Sequence, residues 1–138
     1  SVNLSHSSKP IPMKKITILF SVIAILTLTT KTYAQEEVPK ELLLSSLNSV
    51  AHLKLENEQV TQLMDYNNGF VDEVYEILES DKEDKYKKKS MKILAEKREN
   101  DLRQLFGKHK TNKYLKLMED ELRPLGRKNK LLKPIMQS

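Results

Sequence analysis

His52 and His109 are the two histidines that follow residue 34, and histidine is a common metal ligand. A zinc site needs three or four Cys, His or carboxylate ligands, usually at short sequence spacings. Neither histidine has a second His or Cys at such a spacing, and the chain has no cysteine. We therefore predict no metal site and no cofactor, with both histidines on the surface or at helix ends.

Residue types that catalysis uses are present, but not in the arrangements that catalysis requires. A nucleophilic serine needs a sharp strand-to-helix turn, which the sequence around Ser45, Ser46, Ser49 and Ser90 does not suggest. A phosphate-binding loop needs several glycines close together, and the chain has three in all. The many carboxylates lie in charged stretches and form no recognisable pair of a general acid and a general base. The sequence therefore predicts a protein that is not an enzyme.

A run of lysines at residues 85–89, with Tyr86 inside it, could bind phosphate groups or an acidic membrane surface. The alternative is a solvated helix face, which such runs more often form. We favour the solvated face because Glu83 and Asp84 dilute the positive charge beside the run. A membrane surface is therefore the weaker candidate partner.

Residues 13–34 have the three parts of a cleavable secretory signal peptide. Two lysines follow the first methionine, an uncharged and mostly apolar stretch covers 16–30, and small residues precede a cut before Gln35. The apolar stretch is shorter than the about 20 residues that cross a bilayer core. We therefore predict export to the periplasm. The predicted regions are an upstream extension, 1–12, the signal peptide, 13–34, a helical domain, 35–126, and a basic tail, 127–138, that is mobile or docked on a partner.

Removal of the signal peptide lowers the net charge from +5 to +1, because four cations and no acids precede residue 35. The mature chain then lacks the basic excess of a nucleic-acid-binding protein, and we predict no nucleic-acid partner. The remaining charge is uneven, since residues 35–81 carry −9 and residues 82–138 carry +10. These halves could attract within one chain or across a dimer, or each ion pair could be solvated and contribute less than about 1 kcal/mol.

Apolar residues recur at spacings of three and four along the mature chain, which predicts helices. The predicted helices cover about 39–52, 57–79, 81–106 and 111–122. Pro39 suits the first position of a helix. Ser80 and Glu83 have the spacing of a capping box, which would begin the third helix. Pro124 and Gly126 should end the fourth.

The second and third predicted helices would be about 35 and 39 Å long, which favours an antiparallel pair. The predicted fold is all-α, an elongated antiparallel helical hairpin with short flanking helices. The second helix has one broad apolar face, which could form the core or meet a client or a second subunit. This candidate client or dimer face consists of Val60, Leu63, Met64, Phe70, Val71 and Val74.

Residues 53–59, Leu-Lys-Leu-Glu-Asn-Glu-Gln, resemble the LxLTxxQ signature of the Spy/CpxP-like periplasmic proteins, the LTXXQ-motif family. Residues 105–114 resemble an LTxxQxxKY pattern, with Phe106 at the leucine position and Lys110 at the glutamine position. In the motif, threonine caps a helix and glutamine reaches back to the cap. The matching motif residues are Leu53, Leu55, Gln59, Leu105, Phe106 and Tyr114.

Two positions depart from this family pattern, because Glu56 and Gly107 stand where the motif has threonine. A carboxylate suits the positive end of a helix dipole but is a poor cap. Asn57 is the alternative cap for the helix that follows.

The resemblance implies a cradle-shaped homodimer that binds unfolded or stress-damaged envelope proteins without ATP, or that senses envelope stress and metal. We therefore expect a periplasmic, ATP-independent binding protein that acts as a chaperone or as a stress-response adaptor. The alternative is a structural or regulatory envelope protein that binds one dedicated partner, a sensor or a membrane surface, without general chaperone activity.

Overall fold

The computed structural model describes residues 37–136, and all regular secondary structure in this range is helical. Three α-helices, α1 (Lys40–Leu47), α2 (Asn57–Glu79) and α3 (Asp84–Lys128), precede a C-terminal 3₁₀ helix (Lys130–Met136). The all-α fold class is therefore confirmed. None of the helices in this range combines the length and the hydrophobicity that crossing a membrane requires. The predicted upstream extension and signal peptide lie outside the described residues.

Helix α1 ends at Leu47, earlier than the predicted residue 52. In a longer helix the Leu47 carbonyl oxygen would accept a hydrogen bond from the N–H of residue 51. Instead, the Tyr114 hydroxyl donates to this oxygen at 2.6 Å and Asn67 Nδ2 donates to it at 3.2 Å. Side chains from α2 and α3 therefore satisfy the end of α1, and the chain turns through residues 48–56.

Helix α2 has the bounds that its apolar spacing predicted, and Glu56 is its N-cap. The alternative cap, Asn57, is already helical. Gln59 Oε1 accepts a hydrogen bond from the Glu56 N–H at 3.2 Å. This bond satisfies a backbone donor that the helix itself leaves without a partner.

The capping box predicted at Ser80 and Glu83 is wrong. Ser80 Oγ donates to the Ile77 carbonyl oxygen at 2.8 Å, so the hydroxyl satisfies an acceptor at the end of α2. Glu83 is itself the N-cap of α3, and its carbonyl oxygen accepts from the Lys87 N–H at 3.1 Å. The third helix therefore begins three residues later than predicted, at residue 84.

Helix α3 is interrupted at Gly107, where φ is 82° and ψ is 166°. This backbone conformation is open to glycine and strained for residues with a Cβ. We call residues 84–106 the first arm of α3 and residues 108–128 the second arm. Arg98 and Tyr114, one on each arm, form a 2.8 Å hydrogen bond, although 16 residues of straight helix would separate them by about 24 Å. The chain therefore turns back at Gly107.

Helix α2 and the first arm of α3 run in opposite chain directions. The Tyr66 hydroxyl donates to Asp101 Oδ2 at 2.8 Å, and Lys87 Nζ donates to the Leu78 carbonyl oxygen at 2.8 Å. The residue number rises along α2 as it falls along the first arm, which is the antiparallel arrangement. The elongated shape and the dimer stay predictions.

The second arm continues past the residues that were predicted to end it. Pro124 lies inside the helix, where it is exposed and removes one backbone hydrogen bond. Gly126 is buried because the Met136 side chain packs against it, and a Cβ at this position would overlap the Met136 sulfur. Gly126 therefore permits a close approach within the helix and does not end it.

The basic tail was expected to be mobile or docked on a partner, whereas residues 130–136 form the C-terminal 3₁₀ helix on the domain itself. Leu131, Leu132 and Ile135 are buried. Asn129 Oδ1 accepts from the Leu131 N–H at 3.0 Å and so begins the turn. Burial of three large apolar side chains stabilises this segment against the domain. Its high charge does not oppose that packing, because the charged side chains remain exposed to solvent.

The core joins all four helices. Its buried apolar residues are Val38, Leu43, Leu47, Leu63, Phe70, Val71, Val74, Met91, Leu94, Leu102, Tyr114, Leu115, Met118, Leu122, Leu125, Leu132 and Ile135.

Candidate functional site

The two motif-like segments are in direct contact. Gln59 Oε1, which accepts from the Glu56 N–H, also accepts from Lys110 Nζ at 3.0 Å. Lys110 stands at the glutamine position of the second segment. One glutamine side chain therefore caps α2 and links it to the start of the second arm.

The remaining motif residues differ in burial. Tyr114 is buried, and Leu53, Leu55 and Phe106 are half-buried. Leu105 is exposed, with 42% of its surface accessible. Most of this motif set therefore packs within the domain, where it fixes the turns before α2 and at Gly107.

A buried arginine on the first arm lies inside the core, and its side chain is 2% exposed. The guanidinium Cζ of Arg98 lies 4.6 Å from the ring centroid of Phe70 and 5.2 Å from that of Tyr114. Arg98 Nη2 donates to the Tyr114 hydroxyl at 2.8 Å and to Asn67 Oδ1 at 3.4 Å. We call Asn67, Phe70, Arg98 and Tyr114 the arginine cluster.

Aromatic rings and neutral oxygens surround the charge of Arg98. The ion pairs described within residues 37–136 join other residues, and Arg98 Nε has no hydrogen-bond partner in that range. A ring face attracts a cation more strongly where water is excluded. A guanidinium can only donate hydrogen bonds, and Arg98 donates to neutral oxygens of this cluster. Its effect is to join α1, α2 and both arms of α3.

Arg98 was not among the predicted site residues, although its spacing in the sequence indicates a buried position. Met91, Leu94, Arg98 and Leu102 follow one another at spacings of three and four, so Arg98 occupies an apolar position of the first arm. Such a position is buried in an amphipathic helix. An arginine there must find partners in the core.

Four residues of the candidate client or dimer face belong to the core. Leu63, Phe70, Val71 and Val74 are buried against the other helices. Val60 is half-buried, and Met64 is exposed at 41%. In this structure the apolar face of α2 is therefore closed by the domain's own helices.

Two tyrosines have hydroxyl groups whose acidity is altered by their surroundings. Burial, followed by the hydrogen bond to Asp101, raises the pKa of Tyr66 well above its usual range. Burial also raises the pKa of Tyr75, whose hydroxyl donates to the Val38 carbonyl oxygen. Both hydroxyls stay protonated at neutral pH and serve as donors that hold neighbouring segments.

No ion pair that the structure describes connects the acidic half of the chain, residues 35–81, with the basic half, residues 82–138. Both partners of each pair belong to the same half, and three pairs lie within the first or second arm of α3. The pairs are Lys40–Asp72, Lys97–Asp101 at 3.9 Å, Arg103–Glu99 at 2.7 Å and Arg123–Asp120 at 3.0 Å. All four lie at the surface, where such pairs contribute little to stability.

His52 and His109 are both exposed, as predicted. Within residues 37–136, no group of three or more His, Asp or Glu side chains is placed to hold a metal ion.

No family model, curated protein or solved structure matches this chain.

Proposed function

We propose that this chain is an exported, all-helical binding protein of the bacterial envelope that recognises one dedicated partner through its surface, without catalysis and without ATP. The observation that carries the proposal is the burial of the α2 apolar face. A general chaperone needs apolar surface that many clients can reach. The buried apolar residues of α2 pack in the domain's own core, where clients cannot reach them. They are Leu63, Phe70, Val71 and Val74.

A second candidate is a Spy/CpxP-like chaperone or stress adaptor that acts as a homodimer. Two observations favour it. Gln59 caps α2 as the glutamine of the motif should, and it contacts the second motif-like segment through Lys110. Large apolar side chains are also exposed, including Ile93 at 59% and Tyr86 at 55%.

Aggregation assays separate the two candidates. The protein is mixed in molar excess with several unrelated unfolding proteins, and light scattering follows aggregation without nucleotide. The proposal expects no general protection. Protection of most clients, lost in an Ile93→Ser variant that melts at the wild-type temperature, would replace the dedicated-partner function with the chaperone function.

Export is tested separately. Mass spectrometry of the protein recovered from an envelope fraction should show an N-terminus at Gln35, because small residues precede that position. A cytoplasmic protein that retains residues 13–34 would contradict export and the envelope setting of both candidates.

A further inference from the structure

Six lysines line one surface groove of about 430 Å³. The first arm of α3 supplies four of them and the C-terminal 3₁₀ helix supplies two. The lining residues are Lys85, Lys88, Lys89, Lys92, Lys130, Lys133 and Pro134. Every one of these lysines is exposed to solvent.

The fold creates this concentration of charge. On the first arm the lysines stand at spacings of three and four, so they share one helix face over about 10 Å. Lys130 and Lys133 lie about 40 residues further along the chain, and they reach the groove because α3 turns back at Gly107. Burial of Leu131, Leu132 and Ile135 then fixes the 3₁₀ helix that carries both lysines. The run at residues 85–89 is therefore only part of the cationic surface.

The residues that line the groove include no carboxylate. In the sequence, Glu83 and Asp84 are the acids next to the lysines of the first arm. Six like charges close together repel, and a bound anion relieves that repulsion. A neighbouring cavity shares Lys133 and adds Arg127, with Glu119 as its one acid, while its Arg123 is paired with Asp120 at 3.0 Å. The positive surface thus extends beyond the groove.

Apolar side chains lie beside the lysines on the same arm. Tyr86 and Ile93 are exposed at 55% and 59% and stand seven residues apart, so they point to the same side. Lys89 and Lys92 lie in the same helical turns as Tyr86 and Ile93, on the neighbouring face of the helix. Cations beside an exposed aromatic and an exposed aliphatic side chain form the pattern of a surface that meets lipid head groups.

We infer that this lysine groove binds clustered phosphate groups. Lysine is a compact charge with three donors, which suits phosphate oxygens. The volume and the six cations fit more than one phosphate. The inference rests on the proposed function, because it assigns a chemical class to the dedicated partner, namely a molecule or surface that carries clustered phosphate groups. Anionic lipid head groups and a soluble polyphosphate offer the same chemistry, and two probes distinguish them.

The experiment uses the protein in the form that cells produce and two probes. One is vesicles of phosphatidylglycerol in phosphatidylcholine, with pure phosphatidylcholine vesicles as the neutral reference. The other is inorganic triphosphate, measured by calorimetry. The groove variant combines Lys88→Gln, Lys92→Gln and Lys133→Gln. The matched control combines three exposed lysines that do not line the groove: Lys108→Gln, Lys113→Gln and Lys116→Gln.

We expect the wild-type protein and the control to bind at least one probe, and the groove variant to bind it roughly 100-fold more weakly. This follows from a factor of about five for each surface lysine lost. Binding should weaken as salt rises. If lipid is the source, Tyr86→Ser with Ile93→Ser weakens binding to the vesicles. If soluble phosphate is the source, triphosphate binds and this pair has no effect.

Two results would overturn the inference. One is that neither probe binds at low ionic strength. The other is that the groove variant and the matched control lose binding equally, which would leave only a net-charge effect. These results differ from failure of the proposed function, which is detected by general client protection in the aggregation assay.

Discussion

Arg98 on the first arm of α3 donates to the Tyr114 hydroxyl on the second arm at 2.8 Å, across the turn at Gly107. The same hydroxyl donates to the Leu47 carbonyl oxygen at 2.6 Å. The buried guanidinium of Arg98 thus orients the Tyr114 hydroxyl, which satisfies the last carbonyl oxygen of α1. One tyrosine joins three helical segments, and the position of each segment depends on the other two.

Replacement of Arg98 tests this cluster. Arg98→Lys should lower the free energy of unfolding by about 2–4 kcal/mol, because lysine keeps the buried charge but loses the planar group that lies over Phe70 and Tyr114. Arg98→Met should cost less, since it fills similar space without a buried charge. Urea unfolding of both variants measures the difference. A lysine variant more stable than the methionine variant would show that the charge itself holds the cluster.

Gly107→Ala should destabilise the protein by about 1–3 kcal/mol, because the backbone at this position is strained for a residue with a Cβ. A Cβ at Gly107 would meet nothing within 4 Å, so the cost comes from the backbone and not from a clash. Thermal unfolding provides the measurement.

Gly69→Ala is the matched control for that substitution. Gly69 lies inside α2, and a Cβ there also meets nothing within 4 Å. Alanine should stabilise this helix by about 0.5–1 kcal/mol. Two substitutions of the same kind should thus have opposite signs, and equal effects would argue against the turn at Gly107.

Phe70→Ser and Val71→Ser test whether the α2 face is core. Both side chains are buried, so each variant should lose helicity and melt at lower temperature, with about 3–5 kcal/mol lost at Phe70. The control Met64→Ser changes an exposed residue of the same helix and should cost less than about 1 kcal/mol. Circular dichroism measures all three. Unchanged melting in the Phe70 variant would return this face to the candidate binding surfaces.

Alkaline pH should weaken the fold through Tyr66. Burial and the Asp101 hydrogen bond raise its pKa, so between the unfolded pKa of about 10 and the higher folded pKa only the unfolded chain releases the proton. The contribution is complete below about pH 10 and is lost as pH rises through the folded value. Tyr66→Phe should therefore have a shallower loss of stability above about pH 10 than the wild type. Urea titrations at neutral and alkaline pH compare the slopes, and identical slopes would contradict the assignment.

The all-α class and the bounds of α2 can be predicted from the amino-acid sequence alone. Both follow from local information, since apolar residues at spacings of three and four define one buried face. Gly107 was also recognisable as the end of the third helix, because glycine interrupts the periodic pattern there. The contact of Gln59 with the Glu56 N–H follows from their spacing at a helix start.

The end of α1, the surroundings of Arg98 and the position of the last residues depend instead on contacts between distant segments of the chain. Leu47 ends its helix because Tyr114, 67 residues away, donates to its carbonyl oxygen. The tail looks too charged to pack, yet Leu131 and Ile135 are buried once the second arm places Gly126 against Met136. Lys92 and Lys133 are distant in the chain and line one groove because α3 turns back. Local spacing cannot supply such relationships, because each depends on contacts between segments that meet only when the whole domain has folded.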